Sequence, residues 1–234
     1  MGYIYDLHVH SCECSKCASM TAREAVRAYK ERGFAGIVLT NHFIRGNNRV
    51  PAGLPWAERM DYYRKAFLSA RDEGERLGMD VFFGIEEHYG NGQEILIYGI
   101  SPDFTAENPD MCDIPPEELC ARVRAAGGFT SHAHPYRVRD YITYPFCRMD
   151  VSALDGAEVL NAANTAGEDE SALRFCRENG LMPTAGSDTH HVNRVLEGCL
   201  CGMEFPHRVH SGAELSQLLF SGAGTPVCIG TRGE

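Results

Sequence analysis

The sequence predicts one α/β domain whose mostly parallel sheet closes into a barrel. Three observations predict it. Short apolar runs alternate with amphipathic stretches of helical period, in roughly seven units at fairly even intervals. The strand-like runs are apolar on both faces, as in a sheet covered on both sides. No Pro/Ser-rich linker and no change of composition divides the 234 residues, a length that suits one large domain spanning 1–234. An open doubly wound sheet is the alternative, but no glycine-rich nucleotide fingerprint follows the first strand.

Taken in order, Tyr3 to Val9 reads as the first strand. Thr21-Ala22-Arg23-Glu24 is a capping box, in which the Thr hydroxyl accepts from the third amide and Glu reaches back. Ala22, Ala25, Val26 and Tyr29 follow helical spacing, and Gly33 fits the stop. Gly36 to Thr40 is a short second strand, and 43–55, with Gly, Asn and Pro, is a long loop. Met60, Tyr63, Phe67, Ala70 and Leu77 make a helical stripe ending near Gly78. Val81 to Ile85 and Ile95 to Ile100 are strands, and Pro115-Pro116-Glu117-Glu118 opens a helix that stops at Gly127-Gly128. Strands follow at Phe129 to Ser131, Ala157 to Leu160 and Pro183 to Gly186, with a helix from about Glu168 to Asn179 between the last two. Ser211-Gly212-Ala213-Glu214 is a weaker capping box for a final helix carrying Leu215, Leu218 and Leu219.

Composition excludes several classes. Lys+Arg 22 against Asp+Glu 32 gives a formal charge of -10, which argues against a general nucleic-acid binder. No apolar run approaches the ~20 residues of a membrane span. The start lacks a basic region and a long apolar region, so a cytoplasmic protein is expected. On that expectation the ten Cys are reduced thiols, with Cys120, Cys147, Cys176 and Cys228 as small core hydrophobes. Cys199 and Cys201 alternate on an expected strand.

The polar chemistry sits at strand ends. The first strand ends Asp6-Leu7-His8-Val9-His10, where alternation points His8 and His10 the same way. The second ends Thr40-Asn41-His42, and the third Ile85-Glu86-Glu87-His88. Two later strands end Ser131-His132-Ala133-His134-Pro135 and Gly186-Ser187-Asp188-Thr189-His190-His191. In a parallel barrel these ends converge on one mouth. Imidazole nitrogen mixed with carboxylate oxygen suits Zn²⁺, Mn²⁺ or Fe²⁺ better than Ca²⁺ or Mg²⁺.

Those segments, in that order over residues 6–190, resemble the motifs of the PHP (polymerase and histidinol phosphatase) family. The motifs are Asp6-Leu7-His8-Val9-His10-Ser11, Thr40-Asn41-His42, Gly84-Ile85-Glu86, Ala133-His134-Pro135-Tyr136-Arg137 and Ser187-Asp188-Thr189-His190. The resemblance implies a distorted (β/α)7 barrel with two or three divalent ions at its mouth, and phosphoester hydrolysis as the commonest activity. It implies His8, His10, His42, Glu86, His134, Asp188 and His190 as metal ligands, with Glu86 bridging and Asp6 orienting an imidazole. Two departures stand out. Asn41 occupies a place usually held by Asp, and Leu96 a place often held by His, so that Glu94 or His88 would have to substitute. The family often draws a further ligand from the loop after the first motif, where Glu13 and Cys17 are the candidates beside Cys12 and Cys14.

On this reading the substrate is a small phosphoester, and metal-activated water attacks its phosphorus. Arg137 and Arg194 are the candidate phosphate-binding cations, Arg45 and Arg49 lie on a loop placed to cover the mouth, and His132 or His191 would protonate the leaving group. Two alternatives stay open. One is a barrel hydrolase of the amidohydrolase type, although no Lys stands at a middle strand end. The other is a metal- or phosphate-binding regulatory module that has lost catalysis.

Overall fold

A computed structural model describes residues 2–144 and 147–231; Met1, on which part of the leader reading falls, lies outside them. The elements run β1 (Tyr3–Val9), α1 (Ala22–Glu31), β2 (Gly36–Leu39), α2 (Trp56–Leu77), β3 (Asp80–Gly90), β4 (Gln93–Tyr98), α3 (Pro102–Glu107) and α4 (Pro116–Ala125). They continue β5 (Phe129–His132), β6 (Gly156–Asn161), α5 (Ala166–Glu178), β7 (Met182–Gly186), α6 (Val192–Glu197), β8 (Leu200–Phe205), α7 (Gly212–Phe220) and β9 (Thr225–Ile229). Local chemistry sets the helix starts. Thr21 Oγ1 accepts from the Glu24 amide at 3.2 Å while Glu24 Oε2 accepts from the Thr21 amide at 2.7 Å. Thr165 and Glu168 repeat that box and start α5 two residues before Glu168.

The strands form one sheet in the order β7-β6-β5-β4-β3-β2-β1-β8-β9. Its curl brings the end of β7 back to β1. Val9 bridges Thr189 in parallel fashion, the His10 amide donates to Thr189 O at 3.0 Å, and the Asp188 amide donates to His8 O at 2.8 Å. The α/β barrel expected from the sequence is therefore present, nearly closed.

It is less uniformly parallel than expected. β4 runs antiparallel to both β3 and β5, and β8 and β9 form an antiparallel pair added to β1. The cause at β3–β4 is local. Gly90, Asn91 and Gly92 all take positive φ (123°, 56° and 78°), so the chain reverses in a tight turn instead of crossing over through a helix. The reversal places the start of β4, not its end, at the mouth.

Two apolar layers hold the barrel. The outer one packs Ile37, Leu39, Phe83, Ile85, Ile95 and Ile97 against Val26, Tyr29, Tyr63 and Leu119 of the helices. The inner one contains Val38, Phe82, Leu96, Tyr98 and Phe129, with Leu215 and Leu219 of α7. Leu96 is thus a filler of the barrel interior. The expectation of reduced cysteines throughout is corrected: Cys201 and Cys228, directly opposite on β8 and β9, are joined in a disulfide, and Cys228 is exposed and not in the core. The strand pairing brings them face to face, which spacing in the sequence does not reveal. Among the described residues no helix is long and apolar enough to cross a membrane.

Candidate metal centre

Strand alternation builds the site. On β3 and β4, Phe82 and Leu96 face the barrel interior, so Glu86 and Glu94, an even number of residues away, face it too. Their neighbours Ile85 and Ile95 face the helices. His8 and His10 arrive from the end of β1, His42 from the turn after β2, His134 from the turn after β5, and Asp188 and His190 from the turn after β7. The seven expected ligands are all brought together, and Glu94 joins them.

Glu86 is central. Its Oε1 lies 3.0 Å from His8 Nε2 and 3.2 Å from His134 Nε2, and its Oε2 2.6 Å from His42 Nδ1 and 3.5 Å from His10 Nε2. Asp188 Oδ1 lies 3.2 Å from His10 Nε2 and 3.5 Å from His8 Nε2. Glu94 approaches His42 at 3.5 Å and His134 at 3.4 Å. Yet His8 Nε2, His10 Nε2, His42 Nδ1 and Glu86 Oε2 are buried with no hydrogen-bond partner. Buried polar atoms left this way are costly, and four of them converging are what a cation would satisfy.

Surrounding groups fix which nitrogen is free. His8 Nδ1 donates to Glu158 Oε1 at 3.0 Å, which turns Nε2 and its lone pair inward. Ser15 Oγ donates to Asn41 Oδ1 at 3.0 Å and lies 3.1 Å from His10 Nδ1, so it accepts there and His10 also presents Nε2. His190 Nδ1 donates to Asp188 O at 3.0 Å. Asn41 further accepts from the Ser11 amide at 2.7 Å, so it ties down the loop after β1 as a neutral group. Asp6 accepts from the amides of His8 and Ser187 and from the Tyr29 hydroxyl; it fastens the ligand-bearing segments to one another.

Backbone strain is also concentrated here. His134 (φ 28°) and Asp188 (φ 53°) hold left-handed conformations unusual for non-glycine residues. The His134 amide is held by Glu158 Oε2 at 2.9 Å and the Asp188 amide by His8 O at 2.8 Å. Gly186 is required for a different reason: a Cβ there would lie 2.3 Å from His8 Cβ.

Electrostatics favour cation binding. Burial raises the carboxyls of Glu86 and Asp188, but His8 and His42 around the first, and His8 and Arg137 around the second, outweigh it and hold both well below the usual carboxylate range. Burial, with His190 and His42 nearby, pushes His10 well below its ordinary value and keeps it neutral. Burial alone would lower His8, but Glu158, Asp188 and Glu86 raise it well above. Proton and metal ion therefore compete for the same lone pair.

A cavity of about 630 Å³ opens over the cluster, lined by Arg137, Arg194, Arg45, His88 and His191 among others. Arg137 is 4 % exposed; its Nη1 donates to Asp188 Oδ2 at 2.5 Å and its Nε to Asn164 Oδ1 at 2.7 Å, while Nη2 has no partner. Arg194 lies exposed at the rim, and Arg45 donates to Glu87 at 2.7 Å. His132 is not in the cavity. It sits on the other face of β5, with Nε2 3.0 Å from the Tyr89 hydroxyl, because it is an odd number of residues from the inward-facing Ser131. His191 does line the cavity, held by Ser19 at 2.7 Å.

In the loop after β1, Glu13 receives the Ala22 amide at 3.0 and 3.1 Å and so caps α1. Cys14 is buried in the outer core, whereas Cys17 lines the cavity. Burial raises the Cys17 thiol, but hydrogen bonds with His190 and His42 bring it down to about 6. Sequence reasoning missed Glu158, a fully buried carboxylate between Ala157 and Val159 on β6; an acid inside a short apolar run was the available signal.

The fold has relatives among solved structures. The chain superposes on a two-domain protein from Bacteroides vulgatus containing a predicted PHP-like metal-dependent phosphoesterase, with TM-score 0.72 and 15% identity over 97% of this chain and 65% of that one. The chain shares the fold of that structure over nearly its whole length. A candidate metal-dependent phosphoesterase from Bifidobacterium adolescentis matches at TM-score 0.57 and 16% identity, over 92% of this chain and 95% of that one. An amidohydrolase from Chromobacterium violaceum, with bound sulfate and no metal, matches at TM-score 0.57 and 16% identity, over 80% and 87%. No protein-family model and no curated protein sequence matches the chain.

Proposed function

We propose that this protein is a metal-dependent hydrolase of small-molecule phosphoesters. The observation that carries the reading is the set of four buried ligand atoms, on His8, His10, His42 and Glu86, that meet no hydrogen-bond partner. Two or three divalent ions, Zn²⁺, Mn²⁺ or Fe²⁺, would be held by His8, His10 and Asp188, by His8, Glu86 and His134, by His42, Glu86 and Glu94, and by His10, His42 and His190; these sets share members. Bound ions supply an acidified water and neutralise charge on the phosphoryl oxygens.

The chain's own groups do the rest. Glu158, Ser15 and the Asp188 carbonyl keep His8, His10 and His190 in the tautomer that presents Nε2. Asp188 and Asn164 hold the Arg137 guanidinium in the cavity wall with its buried Nη2 unpartnered, which leaves that nitrogen as a preorganised donor to a phosphoryl oxygen. Arg194 at the rim is assigned a second contact to the anion, and His191, the imidazole of the candidate pair that lines the cavity, the proton for the leaving alkoxide. The buried guanidinium favours a phosphoester over an amide or lactone, the chemistry open to the amidohydrolase-named relative.

The test is purification with Mn²⁺ or Zn²⁺, metal analysis, and assay of p-nitrophenyl phosphate, phosphorylated metabolites, amides and lactones. Phosphate release that disappears in Arg137→Ala and Asp188→Asn is expected. Stoichiometric metal and phosphate binding without turnover would instead indicate a regulatory module, and turnover of amides alone would overturn the phosphoester reading.

A further inference from the structure

Outside the histidine cluster, three sulfurs meet on one face of the β8–β9 pair. Cys201 and Cys228 stand directly opposite in the ladder and are joined. The sulfur of Cys199, a free thiol, lies within 4.8 Å of both. The three differ in access. Cys201 is fully buried, Cys228 is exposed, and half-buried Cys199 forms part of the wall of the candidate active-site cavity. The site is also tied to the ligand-bearing turn. The Cys201 amide donates to Ser187 Oγ at 2.9 Å, and that hydroxyl donates to the Cys201 carbonyl at 3.0 Å, one residue before Asp188.

We propose that Cys199, Cys201 and Cys228 form a thiol–disulfide exchange site in the cavity wall, with low-molecular-weight thiols and disulfides of the glutathione type as its co-reactants. The inference stands independently of the phosphoesterase reading. In the internal step, Cys199 thiolate attacks Sγ of Cys228. A Cys199–Cys228 bond forms as the Cys201–Cys228 bond breaks. The electron pair leaves on Cys201, which takes up the proton that Cys199 released, so nothing is oxidised or reduced overall. An external thiolate can start the same change at exposed Cys228. It forms a mixed disulfide there and expels Cys201 as a thiol; Cys199 then displaces the external thiol, which leaves unchanged. The exchange moves a sulfur out of the cavity wall and frees the residue that brackets Ser187. The pairing state is thereby felt at the turn carrying Asp188.

The experiment is disulfide mapping of the intact protein after equilibration in glutathione redox buffers, acid quench and alkylation without reduction. Both isomers link the segment 195–208 to the segment carrying Cys228, so the alkyl label within 195–208 reports the pairing. The expected result is label on Cys201 as well as on Cys199, at a ratio that settles faster as the thiol concentration rises. In Cys201→Ser, the link is expected to shift to Cys199–Cys228. Label confined to Cys199 in the unaltered protein at every buffer ratio would overturn the proposal, with no variant required. A free Cys228 in folded Cys201→Ser under oxidised glutathione would overturn it equally.

Discussion

Two buried glutamates, Glu73 on α2 and Glu86 on β3, show what separates a structural carboxylate from a functional one. Glu73 is complete. Its Oε1 accepts from Arg27 Nε at 2.7 Å and Arg76 Nη2 at 2.6 Å, and its Oε2 from Arg76 Nε at 3.2 Å. Glu86 has imidazoles on several sides, yet its Oε2 receives no hydrogen bond. Guanidinium groups bring protons fixed to the donor. Imidazoles hold their protons less firmly, and once the inward nitrogen is deprotonated it brings a lone pair, which cannot satisfy a carboxylate oxygen and instead shares a cation with it. Burial and proximity are common to both sites; only the accounting of protons tells them apart.

The comparison breaks most sharply at Glu86 itself. Glu86→Gln is expected to lose bound metal and to lower metal-dependent hydrolysis roughly 100- to 1000-fold, the scale of removing one preorganised electrostatic group. Glu73→Gln should keep its metal content, as read by elemental analysis of the two variants side by side. Equal metal content in both would remove the distinction. A sharper probe is Glu158→Gln, which leaves the ligands in place and loosens the hold on His8 Nδ1. Metal affinity should fall ~10–100-fold, measured by competition with a chelating dye.

Asn41→Ala tests whether the loop after β1 depends on a neutral anchor. It strips the acceptor from the Ser11 amide and Ser15 Oγ, both buried, at a cost of ~1–3 kcal/mol in denaturant unfolding of the metal-free protein. The smallest effect concerns Glu73 and pH. Hydrogen bonds from Arg76, then Arg27, hold its pKa down at about 2 from an ordinary 4.5. A depressed carboxyl stabilises the fold fully above its unfolded value and loses that contribution as pH falls through the folded one. The gap in melting temperature between the unaltered protein and Glu73→Gln should therefore be constant near neutral pH and shrink between about pH 4.5 and 2. A gap that persists at the acid end would mean the arginines act through packing.

Several features were legible from residue order because they rest on local rules. The period of 2 places His8 and His10 on one face, and the capping box at Thr21 needs only neighbours within one turn. The strand-end position of His42, Glu86, His134, Asp188 and His190 follows from apolar runs that end beside them. The Gly90-Asn91-Gly92 turn was equally local; its chemistry reverses β4 and makes Glu94, not Leu96, the residue at the mouth. His132 and His134 belong to one tripeptide, yet the chain turns after β5 and sends one ring outward to Tyr89 and the other to Glu86.

The sequence by itself determined the barrel class, the capped start of α1 and the identity of the clustered histidines, because periodicity and capping act over a few residues. Only the tertiary structure decided that Glu158 steers His8, that Arg137 is locked by Asp188 with one nitrogen free, and that Cys201 meets Cys228. Each of those pairs lies 27 to 150 residues apart, with a 51-residue gap for Arg137 and Asp188. Such contacts are set by how a curled sheet closes, and nothing in the local chain encodes which distant side chain will arrive opposite.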